Sequence, residues 1–322
     1  MADAAAVTGA VPRTAGVPAW VRDKGVYVAL AVLIVGNLAF TDNFATLDNL
    51  RTQLVQVAPV MVVALGMAMV IGTEGIDLSV GSVMAIAASI IPLWLGYGAL
   101  PAVAVALLAG VACGVLNGGL VAWAGIQPIV ATLALFVAGR GLALVLADGQ
   151  LKDIRNPTLI SIGEDSVAGV PIVVLIVAAI ALVLAFVMRR STFGRHVVAV
   201  GGNRTAAFLA GLPVKRTLVS VYVISAVLAA VAGVLATARL QASDPSAVGL
   251  LIELSAITAV VVGGTPLSGG KVRILGTLAG ALLMQLIRAT LIKHDVADSA
   301  AQMVQAAIIV IAVALQRREA AR

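Results

Sequence analysis

The stretch "MVVALGMAMVIGTEGIDLSVGSVMAIAASII", residues 61–91, decides the fold. An apolar run ends at Ile71 and another starts at Val83. Between them lie glycines, serines and two carboxylates, Glu74 and Asp77. Each apolar run extends outward to the length of a membrane span, which needs roughly 20 residues. The stretch therefore reads as two spans joined by a polar break. One reading of the break is a solvated loop, where charge costs little. The other is a broken helix partly inside the membrane, where irregular backbone is tolerated only under cover of protein or water. A charge at that depth costs about 2.5–3.5 kcal/mol on insertion scales, so it carries a role or a partner. Asp77, just before "LSVGS", also suits a cap for the next helix.

Composition extends this reading to the whole chain. Of 322 residues, 61% are hydrophobic and 11% charged. A soluble domain of ordinary composition has about 45–50% apolar and about 25% charged residues. The surplus exceeds what one buried core needs and fits a surface that faces lipid. A membrane β-barrel would show short alternating segments instead. The expected class is all-α: a polytopic inner-membrane helical bundle with about ten transmembrane helices. Ten apolar runs are candidates: 26–41, 52–71, 79–97, 101–123, 128–147, 170–188, 217–239, 252–263, 274–291 and 300–315. The run at 252–263 is too short to cross alone unless "ARLQASDPSAVGL" before it is partly embedded. Residues 1–25 read as a flexible cytoplasmic tail, 26–315 as the transmembrane domain and 316–322 as a second cytoplasmic tail.

Basic residues orient the bundle. Arg13, Arg22, Lys24, Arg189, Arg190, Arg195, Arg204, Lys215, Arg216, Lys271, Arg273, Arg317, Arg318 and Arg322 fall at one end. The positive-inside rule makes that end cytoplasmic and fits an even number of spans with both termini inside. The net charge of +6 then belongs to membrane topology, not to nucleic-acid binding. The lone Cys113 allows no disulfide within the chain. No segment between spans is long enough for a soluble catalytic domain. Two are long and polar: 148–169 outside and 189–216 inside.

"GGTPLSGGK", residues 263–271, looks like a nucleotide signature and is a false lead. A phosphate-binding loop needs G-x-x-x-x-G-K-[ST]. Thr265 stands at its first glycine position, and Val272 follows Lys271. A glycine-rich turn at a helix break is the better reading. It faintly echoes residues 70–89, and transporters often carry such repeats, with broken helices near the substrate path.

Polar groups inside apolar runs are the candidate path residues: Asp77, Ser79, Asn117, Gln127, Thr132 and Arg140. An intramembrane arginine pairs with an acid or lines a pathway. Asp77, Glu74 and Glu253 are candidate partners for Arg140. Neutral groups such as Asn117, Gln127 and Thr132 either bond helix to helix or offer donors and acceptors to an uncharged polyol. In the inner segment, "NRTAAFLAGLP" can form a short amphipathic helix capped by Asn203 and stopped by Pro213. A solvated loop has little use for "AAFLAG"; a docking helix does.

Four stretches carry a resemblance: "GIDLSVGSVMAIA", "GVLNGGLVAWAGIQPIVATLALFVAGRGLALVL", "STFGRHVVAVGGNRTAAFLAGLPV" and "ELSAITAVVVGGTPLSGGKVRILGTLAGALL". In order and spacing they resemble the permease subunits of bacterial ABC sugar importers of the ribose/galactofuranose type. The resemblance covers residues 26 to 315. It implies a ten-helix subunit paired with a second copy or a paralogue. It also implies a periplasmic or lipoprotein sugar-binding protein outside and a cytoplasmic ABC ATPase inside, commonly two fused ATP-binding domains. ATP and magnesium would sit on that partner, with no cofactor on this chain. The coupling helix that inserts into the ATPase matches Asn203, Arg204, Ala206, Ala207 and Gly211. Two departures stand out. Thr205 replaces an acid often found in this element, leaving docking to Arg204 and the apolar face. Glu74 replaces a glycine common in relatives. The rival readings are an ABC permease for a non-sugar molecule and an ion-coupled transporter using Glu74, Asp77 and Arg140. A membrane enzyme is a more distant third, with no nucleophile–base pair evident.

Overall fold

The computed structural model describes residues 19–310 apart from 298, 305 and 309, with side chains from Lys24 onward. Its helices are α1 (Ala19–Phe40), α2 (Leu47–Gly72), α3 (Val80–Trp94), α4 (Ala99–Ala122), α5 (Pro128–Leu146), α6 (Pro157–Glu164), α7 (Ile172–Arg190), α8 (Thr192–Gly202), α9 (Arg204–Leu209), α10 (Val214–Leu240), α11 (Ile252–Val262) and α12 (Ile274–Lys293). Among the described residues, seven helices are long and apolar enough to cross a membrane: α2, α3 with the 3₁₀ turn after it, α4, α5, α7, α10 and α12. At 1.5 Å per residue the 26-residue α2 is about 39 Å long, more than the ~30 Å hydrocarbon layer. Residues 24–40 and α11 are apolar but shorter. The expected run at 300–315 falls partly outside the described residues.

The local signals are simple. Thr46, Asn156, Ser191 and Asn203 cap α2, α6, α8 and α9 through side-chain oxygens that accept backbone N–H groups. Pro128 and Pro157 open α5 and α6, where a missing N–H costs nothing.

Two layers follow from burial. In α2, 78% of the most apolar stretch is buried; in α4, α5 and α7 the share is 22%. So α2, α3 and α10 form the centre, and the outer helices turn Leu108, Val137, Leu182 and Phe186 away from protein. Apolar side chains on that outer surface are what lipid contact requires.

α4 packs closely along α10. Gly110, Gly114 and Gly118 form a small-residue stripe at four-residue spacing. A Cβ on Gly118 would come within 2.8 Å of the Val219 Cα, and one on Gly110 within 2.9 Å of the Ala230 Cβ. Backbones this close gain dispersion contact without a hydrophobic drive, as helix pairs in lipid require.

α11, with 11 residues, spans about 16 Å and cannot cross alone. The segment before it is polar in composition but packs partly buried against the bundle. Ser243 and Val248 are buried, and the Ser243 hydroxyl donates to the Ala88 carbonyl at 2.8 Å. At the same end, strands β1 (Lys152–Asp153) and β4 (Ala242–Ser243) pair antiparallel, Lys152 opposite Ser243. Strands β2 (Ser166–Val167) and β3 (Val170–Pro171) make a small hairpin. With α6 they fold the long polar segment down onto the ends of α2 and α10, where the Arg51 guanidinium donates to the Gly169 carbonyl.

Candidate functional site

The break that opened the sequence reading is built, not loose. Asp77 is 1% exposed. Its Oδ1 accepts from the Ser79 backbone N–H at 3.0 Å and the Ser79 hydroxyl at 2.6 Å. Its Oδ2 accepts from the Ser225 hydroxyl of α10 at 3.0 Å. The Asn117 amide of α4 donates to the Ser79 hydroxyl at 2.8 Å. Thr132 of α5 accepts from the Leu78 N–H at 3.1 Å and donates to the Pro128 carbonyl at 2.9 Å. Asp77, Ser79, Asn117 and Thr132 thus form one buried hub that ties the α2–α3 break to three neighbouring helices. Hydrogen bonds of this kind contribute about 0.5–1.5 kcal/mol each. The hub is not a wall of any of the three main cavities.

The other two candidates lie elsewhere. Gln127 is exposed at the start of α5, and its side chain makes no cap. Its place at the inner loop, before Pro128, keeps it outside the hub. Arg140 pairs with neither Asp77 nor Glu74. Its guanidinium donates to the Val248 carbonyl at 2.7 Å and the Pro245 carbonyl at 3.0 Å. It therefore holds the embedded segment before α11. Glu253, at the start of α11, supplies the nearby negative charge.

Glu74 has φ +64°, in the left-handed region where glycine is favoured. That is the physical content of the departure noted at this position. Its exposed carboxylate takes no part in the hub.

Three breaks meet at this end of the bundle. The Gly270 N–H donates to the Gly72 carbonyl at 3.1 Å. Gly201, at the end of α8, packs on both: a Cβ there would overlap the Gly72 oxygen and sit 2.7 Å from the Gly270 nitrogen. The two sequences that echo each other are therefore in contact, with α8 wedged against the joint.

From α8 the chain passes straight into α9. Asn203 caps it, accepting from the Ala206 N–H at 2.8 Å. Ala207 faces inward, packed with Ala122, Val200, Val214 and Leu218. Phe208 and Leu209 face outward, 67% and 79% exposed. Arg204, Ala206 and Gly211 are exposed as well. So the outward apolar face is Phe208–Leu209, and Ala207 anchors the helix from behind. The alternation of "AAFLAG" carried this signal, but not which residue faces which way.

A cavity of about 530 Å³ was not anticipated. It lies between the first half of α2, the second half of α12, α11 and the segment before it. Ser255, Thr258, Gln285, Arg288 and Gln302 contribute its polar wall. Beside it, the Gln285 amide donates to both Gln53 and Gln56 at 2.9 Å. Gln53/Gln56, Ser255/Thr258 and Gln285/Arg288 are each spaced i, i+3, which puts each pair on one helix face. That spacing was visible in the sequence.

A helical bundle whose peripheral helices turn apolar side chains outward, with seven helices long enough to span, is a multi-pass membrane protein. The family model described as "Branched-chain amino acid transport system / permease component" matches residues 49–313, and the chain belongs to that family. The ribose import permease protein of Escherichia coli strain K12 is 37% identical, over 94% of this chain and 95% of its own length. The galactofuranose transporter permease protein of the same strain is 39% identical, over 80% and 76%. The fructose import permease protein of Bifidobacterium longum is 37% identical, over 90% and 86%. No solved structure matches the chain.

Proposed function

We propose that this chain is the membrane-spanning permease subunit of an ATP-driven, binding-protein-dependent monosaccharide importer in the inner membrane. The observation that carries it is similarity across nearly the full length of relatives named for import of ribose, fructose and galactofuranose. The layout supports it. Lys24, Arg189, Arg190, Arg195, Arg204, Lys215, Arg216, Lys271 and Arg273 lie at the α9 end, which the positive-inside rule makes cytoplasmic. Ten spans with both termini inside would follow if α1, α11 with its embedded segment and the run from 300 complete the count.

The chain does no chemistry on its substrate. A cytoplasmic ABC ATPase, with two fused ATP-binding domains and its own ATP and magnesium, would dock on Phe208 and Leu209, with Arg204 beside them. A sugar-binding protein would deliver cargo to the outer end, and a second copy or paralogue would complete the path. Neutral hydroxyl and amide groups in the cavity, Ser255, Thr258 and Gln285, suit an uncharged polyol. The hub at Asp77 then positions the break, and substrate passes beside it.

The inner end is sealed by the glycine joint at Gly72, Gly201 and Gly270, while the cavity lies in the outer half. Movement of α9 by the ATPase would shift α8 and open the joint. Each nucleotide state biases the equilibrium only by binding one arrangement better than the other. The test is uptake into vesicles holding the permease, its ATPase and its binding protein. ATP-dependent uptake of a pentose or furanose that survives an uncoupler supports the reading. Uptake without ATP that collapses with the uncoupler overturns it in favour of ion coupling.

A further inference from the structure

A second cavity, of about 480 Å³, lies at the cytoplasmic end between α1, α7, α8 and the start of α12. Its walls divide by chemistry. Met188, Val272 and Leu275 give it an apolar side, and Lys24, Arg189 and Arg273 bring three cations to it. Among the described residues, no carboxylate lines it. The three cations come from three different parts of the chain: α1, the last turn of α7 and the residue before α12. The fold assembles them; no run of basic sequence does.

We propose that this cavity is a binding site for an anionic phospholipid of the inner leaflet. The phosphate and glycerol headgroup would sit among Lys24, Arg189 and Arg273, and an acyl chain would run along the apolar side. Depth and charge both favour this occupant. The site opens at the basic end of the bundle, at the level where α7 ends and α12 begins, which is where headgroups lie. Basic pockets between spans at the cytoplasmic side select anionic headgroups over zwitterionic ones. Arginine adds geometry, because its planar fork matches phosphate oxygens. The site adjoins the glycine joint: Val272 lines it and also packs over Gly72. A bound lipid would therefore brace the segment that must move. The proposal rests on the membrane-spanning reading and the orientation above, not on the identity of the cargo.

The test uses purified full-length permease in detergent, stripped of lipid. Native mass spectrometry counts bound dioleoyl-phosphatidylglycerol against dioleoyl-phosphatidylcholine. The expected result is retention of phosphatidylglycerol, with about fivefold weaker binding for each cation removed in Lys24→Gln and Arg189→Gln. Arg189→Lys should keep most of the binding. Arg155→Gln removes a cation at the opposite end and should change nothing. Lys24 and Arg189 are exposed, so these variants should fold; an unchanged melting temperature without lipid checks this. Equal binding by wild type and the double variant overturns the proposal, as does equal binding of phosphatidylcholine. Competition by millimolar inorganic phosphate at full strength would reassign the site to a soluble anion. Loss of ATPase binding in Arg189→Gln with lipid binding intact would reassign it to the partner protein.

Discussion

Gly201→Ala is the sharpest probe of how movement of α9 reaches the membrane. The new Cβ would overlap the Gly72 carbonyl oxygen and sit 2.7 Å from the Gly270 nitrogen, whereas ordinary contact begins at 3.4 Å. Relief at the nitrogen alone needs roughly 0.7 Å (3.4 less 2.7), and all the opposing atoms are backbone. Where Gly72 and Gly270 give way rather than α8, their hydrogen bond, now 3.1 Å, is lost. Overpacking costs about 1–3 kcal/mol and the lost bond about 0.5–1.5. Alanine returns about 1 kcal/mol of helix propensity, leaving a net destabilisation of about 1–3 kcal/mol. Gly202→Ala is the matched control, because nothing lies within 4 Å of a Cβ there. Thermal unfolding in detergent should show Gly201→Ala less stable than Gly202→Ala. Coupled uptake should fall by more than the loss of folded protein explains, since the joint that must close in each cycle no longer seats. If the two variants are equally stable and equally active, α8 is not wedged into the joint and the proposed transmission fails.

Other expectations follow from single contacts. Phe208→Asp with Leu209→Asp should abolish ATPase binding in pull-down while leaving membrane insertion unchanged; normal uptake in that variant removes the docking assignment. Asp77→Ala strands two hydroxyls and an N–H in a buried site, which should cost at least about 2 kcal/mol, and Asp77→Asn, which can still accept from Ser79, should cost less; equal melting temperatures would dissolve the hub. Glu74→Gly should raise stability by about 0.5–1 kcal/mol, because glycine takes the φ of +64° without strain; a lower melting temperature refutes the strain argument. Thr258→Val with Gln285→Leu should raise the apparent KM for the sugar, and should also lower the melting temperature, because Gln53 and Gln56 lose their shared donor. An unchanged KM there separates the cavity from the path.

What the sequence disclosed depended on whether the signal was local. Spans were legible because each helix declares itself by its own apolar length, and α9 because Asn203, the small apolar run and Pro213 lie within one segment. α8 was missed because "STFGRHVVAVGG" mixes charge and glycine, and its apolar face is defined by what it packs against, Val197 and Val200 being buried. Polar residues posed the harder problem. Asp77, Asn117 and Arg140 attract notice because charge or amide in an apolar run is costly, yet that cost can be met by a partner in the same protein. Here it is met: Asp77 by Ser79 and Ser225, Arg140 by two carbonyls. Those bonds tie the α2–α3 break and the segment before α11 to the neighbouring helices. The groups that line the cavity, Ser255, Thr258 and Gln285, also bond within the fold, but they are neutral and inexpensive, so no energetic alarm marks them in the sequence. Only their i, i+3 pairing did, and it acquires meaning when three helices bring the pairs to one cavity. The conspicuous residues of this sequence are thus ones that brace the scaffold, and the polar lining of the cavity had to be read from the fold.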